Sequence, residues 1–136
     1  MKLSALDKKY GKNKTLAKEG FPFKVPDSDV VFLIRQFDSI ENAELVKKAM
    51  TEDFKPLQRQ IQNDALPLDK VYALNVKVWC KIALAGWQNL VDDDGKEILF
   101  SLDTAVEMML KYEDLYKILT EQSRDSSNFS LELGND

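Results

Sequence analysis

Residues 79–101 read WCKIALAGWQNLVDDDGKEILFS, and the fold turns on how this stretch divides. Its first half ends an apolar run that begins near Leu68; its second half is an acidic turn that leads to Phe100 and Ser101. Counted back along the run, the apolar residues fall on two helical stripes. One is Val71, Leu74, Val78, Ile82 and Ala85, and the other is Tyr72, Val76, Trp79, Ala83, Trp87 and Leu90. The polar face between them is narrow, marked by Lys70, Lys77 and Lys81. A helix apolar over most of its circumference is buried over most of it. The spacing therefore predicts a central helix over 68–90, with the other segments packed on it. Trp79 and Trp87 are the two tryptophans of the chain, and Ala83, Ala85 and Gly86 between them form a small-residue patch that admits a second backbone. Covering two stripes asks much of 136 residues, so one stripe is a candidate face for self-association.

The acidic turn, Asp92-Asp93-Asp94-Gly95, invites comparison with a calcium loop. Setting Gly95 at the sixth position of an EF-hand puts Leu90 at the first and Ser101 at the twelfth, where acidic ligands belong. Neither residue can serve. Asp94-Gly95 reads instead as a tight turn between two short extended segments, with glycine supplying a positive φ.

Working toward the N-terminus, Phe21, Phe23 and Val25 alternate with Pro22, Lys24 and Pro26, a period of two. The prolines remove ladder donors and make this an edge strand. Turn residues 26–29 and the β-branched run Val30 to Ile34 complete a hairpin over about 19–36. Its apolar face must cover a helix, or its open edge must accept a strand from another molecule. Ser39 then reads as an N-cap, followed by a stripe at Ala43, Val46, Met50, Phe54, Leu57 and Ile61 that Pro56 should kink or split near Phe54. Asn63-Asp64 closes that segment.

Toward the C-terminus, Ser101 caps a helix bearing Leu102, Ala105, Val106, Met109 and Leu110; after a bend at 112–114, a last helix carries Leu115, Ile118 and Leu119 to Arg124. Phe129, Leu131 and Leu133 alternate in the tail, which reads as a short strand, as a segment that docks on a partner, or as a disordered segment. The expected organisation is α+β and mainly α: a basic, partly mobile arm at 1–19, one domain at 20–125 with an N-terminal β-hairpin on about four helices, and a flexible tail at 126–136.

Composition narrows the chemistry. There is no histidine, which removes the usual general base near neutral pH and the commonest metal ligand. The single cysteine, Cys80, lies inside the apolar run and reads as a small buried hydrophobe. No phosphate-binding glycine loop or metal-ligand spacing is present. Catalytic residues, cofactors and metals are accordingly not expected, and the reading is non-enzymatic. The first residues, MKLSALDKKYGKNK, lack a signal peptide's apolar stretch, and no run approaches the ~20 apolar residues of a membrane span. Residues 1–24 carry seven lysines against Asp7 and Glu19, a local charge of +5, which leaves −9 for the remainder. An arm without arginine, and with Tyr10 as its one stacking residue, argues against nucleic acid.

From Gly86-Trp87 the order is GW, then NLVDDDGKEILFS, the helix LDTAVEMMLKYEDLYKIL, and a closing SRDSSNF that ends at Phe129. Upstream stand EGFPFKV, VVFLIRQF and a helix opened by Glu41-Asn42-Ala43. This pattern resembles the small tail assembly chaperones of long-tailed bacteriophages. The resemblance implies an assembly factor in the host cytoplasm that coats or sequesters the tape-measure protein until tail-tube subunits displace it, and that self-associates. The two prolines of the hairpin depart from the family's pattern. No catalytic residue carries over; Trp79, Gly86, Trp87, Phe100 and Phe129 are the core-or-interface positions it points to. Two other roles fit the same residues: a structural tail or head–tail connector component, and a small inhibitor of a host defence protein that uses the acidic surface of residues 38–136 as a decoy.

Overall fold

The computed structural model describes residues 1–131. Its N-terminal hairpin forms as the alternation dictates, with β1 (Phe21–Lys24) antiparallel to β2 (Val31–Ile34) and Phe21 opposite Ile34. The turn closes through a 2.9 Å bond from the Val25 N–H to the Val30 carbonyl. The Ser28 hydroxyl donates to the Val25 carbonyl and accepts from the Val30 N–H.

The hairpin does not stand alone. The central helix, α5 (Leu68–Ala83), stops seven residues short of the expected 90, and the chain continues as β3 (Leu84–Gln88). The result is α+β, mainly helical, with a three-stranded antiparallel sheet in the order β1-β2-β3 among the described residues. Local sequence favours a longer helix, but the free edge of β2 offers a complete set of hydrogen-bond partners. Long-range pairing overrides propensity there. Phe32 faces Trp87 and Leu33 faces Gly86, and the register shifts at Leu33/Ile34 so that Ile34 meets Leu84. The Arg35 N–H adds a 2.7 Å bond to the Ala83 carbonyl, just past the strand. Ala85, Trp87 and Leu90 therefore leave the helical stripes assigned to them.

Most of the two remaining stripes of α5 is covered from within the chain, although Tyr72 is left 37% exposed. Val76, Trp79 and Ala83 join the main core with Phe21, Phe32, Ile34, Met109, Leu119 and Phe129. Leu74, Val78 and Ile82 form a second cluster on Ala49, Phe54 and Leu57. The cover comes from a helical segment broken as Pro56 requires. Ser39 caps a 3-10 turn (Ile40–Asn42), followed by α3 (Ala43–Ala49), a π-helical turn (Met50–Phe54), a second 3-10 turn (Lys55–Leu57) and α4 (Gln58–Gln62). The stripe expected there is rotated: Ala49 is fully buried, whereas Met50 is 50% exposed.

Ser101 caps α6 (Leu102–Lys111) by accepting from the Thr104 N–H, the chain bends at Tyr112, and α7 (Glu113–Arg124) leads to a 3-10 turn (Ser126–Phe129). Before the sheet come α1 (Leu3–Tyr10) and α2 (Lys14–Glu19). α2 is held by its backbone: the Ala17 carbonyl accepts from the Asn42 side-chain amide at 2.8 Å and from the Gln36 N–H at 3.1 Å. Lys12 pairs with Glu41 at 3.0 Å. Hydrogen bonds from Ser39 and then Lys12 hold the Glu41 carboxyl down to about 2. The two ends also meet. Phe129 is buried edge-on against Phe21, its carbonyl accepts from the Asn13 N–H, and the Leu131 N–H bonds the Gly11 carbonyl. α1 buries no residue at all. Leu133, the last of the three alternating tail positions, lies outside the described residues.

Candidate functional site

The aromatic positions singled out in the sequence are buried in the core, except Phe100, which stays partly exposed beside Trp87. Trp79 is buried, with its indole N–H 3.1 Å from the Ser123 hydroxyl and its ring edge-on to Tyr116. Phe129 closes the opposite side of the core. Trp87 packs edge-on to both Phe32 and Phe100, and Phe100 remains 37% exposed. Gly86 is buried in β3, and a Cβ built there meets nothing nearer than Leu33 Cδ1 at 3.8 Å. No close backbone approach depends on it.

Trp87 also organises the surface beside it. Its indole N–H donates a 2.7 Å bond to the Ile98 carbonyl. That bond clips an arm, residues 90–98, against the sheet. Within the arm the Ile98 N–H bonds the Leu90 carbonyl, Val91 bridges Glu97, and Gly95 adopts φ 81 at the tip. Asp92 Oδ1 accepts from the backbone N–H groups of Asp94 and Lys96 at 2.9 Å each, so its carboxylate shapes the turn. Asn89, at φ 66, turns the chain out of β3, and its side chain donates to the Asp29 carbonyl at the hairpin tip.

Hairpin tip, arm and the α6–α7 junction enclose an open groove of about 980 Å³. Its floor is apolar: Val25, Val30, Leu90, Ile98, Met108 and Leu115 are all half-buried. Its rim carries Asp92, Asp93, Glu113 and Asp114 against Lys111. Phe32 lies at its base and Tyr112 at its lip. The groove escaped the sequence reading because its walls come from three separate stretches. The signal available was an acidic cluster at 92–94 and another at 113–114, adjoined by Val91 and Tyr112, which no helix stripe claimed.

A family model described as YdaY prophage protein matches residues 40–136. The chain belongs to that family. It is thus a phage-derived protein. Comparisons with curated proteins and with solved structures return no match. In this YdaY family member the matched span contributes the arm and the α6–α7 wall of the groove, while the hairpin wall lies before it.

Away from the groove, α5 takes part in a cluster of charged side chains. Asp53, with its side chain 4% exposed, lies 2.6 Å from Lys81 and 3.3 Å from Lys77. Glu52 adds a 3.1 Å contact to Lys81. Burial alone would lower the Lys81 pKa; the hydrogen bonds to Asp53 and Glu52 outweigh it and hold the pKa above its ordinary value. The cluster sits where the narrow polar face of α5 meets the π-helical turn. Cys80 is 1% exposed, and burial pushes its thiol up to about 12, which keeps it protonated and shielded. Among the described residues there is no group of acidic or thiol side chains able to hold a metal ion, and no helix long and apolar enough to cross a membrane.

Proposed function

We propose that this phage-derived chain is a non-enzymatic tail assembly chaperone, which holds the tape-measure protein or tail-tube subunits during morphogenesis in the host cytoplasm. The observation that carries the reading is the groove: an apolar floor under an acidic rim suits a basic amphipathic helical segment of a client. The groove is open rather than enclosed, and the carboxylates face solvent at its edge. Acid–base catalysis by a carboxylate pair needs apolar enclosure to part the two pKa values. Reversible capture needs only modest affinity per contact, multiplied along a long helical client.

Co-expression with the tape-measure protein of the same phage tests the reading. The client should be soluble with the wild-type chain and aggregate with a Leu115→Asp/Met108→Asp variant, whose folding is checked by circular dichroism. Unchanged client solubility with the wild-type chain would exclude the chaperone role. Stoichiometric amounts of the chain in purified virions would point instead to a structural tail component.

A further inference from the structure

The groove has a partner of matching chemistry on the chain itself. Helix α1 presents Leu3, Leu6 and Tyr10 at intervals of three and four, one face of a helix, and these residues are 78%, 39% and 69% exposed. Around them stand Lys2 and Lys9 against Asp7, so the segment is both apolar on one face and net positive. The groove is apolar on its floor and net negative on its rim. The two surfaces lie at opposite ends of the hairpin. α1 joins the molecule near Gly20 and Phe129, where β1 begins, whereas the groove lies past Val25, where β1 ends. Gly11 is fixed to Leu131 and Lys12 to Glu41, so α1 cannot reach the groove of its own chain without releasing those contacts.

We infer that α1 of one copy docks in the groove of a second copy, giving head-to-tail self-association. The inference rests on the groove being a protein-binding surface, as proposed above, but needs no phage partner. The contact joins two different patches, so each added copy presents a fresh groove or a fresh α1, and the assembly extends unless its rotation closes a ring. One short helix makes a small interface, so association should be concentration-dependent rather than obligate. Its charged part should weaken with salt, because rim carboxylates and lysines are screened within about 10 Å at 0.1 M.

Sedimentation velocity on the full chain decides the matter. The wild type should pass from monomer to species larger than dimer between about 1 µM and 1 mM, less so in high salt. A Leu3→Asp/Leu6→Asp variant and an Asp93→Lys/Asp114→Lys variant should each remain monomeric, with circular dichroism spectra like the wild type. Mixed, they should form a one-to-one dimer and nothing larger, because each retains one intact half of the contact. A wild type that stays monomeric throughout, or variants that self-associate as it does, or a mixture that forms no dimer, would each overturn the inference. Client capture by a chain that never self-associates would leave the chaperone reading standing. Self-association without capture would do the reverse.

Discussion

The Trp87 indole N–H ties the 90–98 arm to the sheet through the Ile98 carbonyl. Trp87→Phe keeps the packing on Phe32 and Phe100 but removes that bond. The expected cost is about 1–2 kcal/mol in urea unfolding, with faster amide exchange confined mainly to residues 90–98. Asp53 makes a second test at this scale. Its carboxylate is buried between two lysines, and Asp53→Asn should cost about 1.5–3 kcal/mol. The same pair sets a pH dependence. Lys81 binds its proton more tightly folded than unfolded, so its contribution is complete below the unfolded value of about 10.4 and fades as pH rises through the higher folded value. Wild-type stability should fall across that alkaline window, and Asp53→Asn should flatten the slope. None of this was legible in advance. The lysines stood out on the polar face of α5, but the inward turn of Asp53 depends on a π-helical turn that periodicity does not announce.

At the level of elements, the glycines separate two kinds of backbone demand. Gly20 sits at φ 106 between α2 and β1, with β2 backbone 3.2–3.3 Å from where a Cβ would be. Gly86 sits in a strand where a Cβ would make only an ordinary van der Waals contact, with Leu33 Cδ1 at 3.8 Å. Gly20→Ala should lower stability by more than about 1 kcal/mol, while Gly86→Ala should be neutral or raise it by about 0.5–1 kcal/mol; thermal unfolding of both variants checks the contrast. The hairpin, the caps at Ser39 and Ser101, the break at Pro56 and the Asp94-Gly95 turn could all be read from the chain, since each is written in local chemistry. β3 could not. Leu84 to Gln88 continues an apolar helical pattern, and only the presence of β2, some fifty residues earlier, makes a strand the better outcome. The groove was hidden for the same reason, because its arm depends on where β3 ends.

For the whole molecule, the decisive joint is between the two ends. Phe129 fills the core against Phe21, and its carbonyl holds the Asn13 N–H. Phe129→Ala should cost about 3–5 kcal/mol and strip exchange protection from residues 12–20 while the α3–α5 cluster keeps its own. The basic segment at 1–19 and the tail at 126–131 thus share contacts across the chain's length, and charge or composition gave no hint of that. The same joint imposes an order in time. A ribosome delivers the N-terminal half first, at about 5–20 residues per second. The hairpin emerges with Phe21 and Phe32 bare, gains its third strand only when residues 84–88 follow, and is capped only when Phe129 leaves the tunnel. Until residue 129 is available, the nascent chain exposes the apolar face of the sheet that Phe129 covers at Phe21.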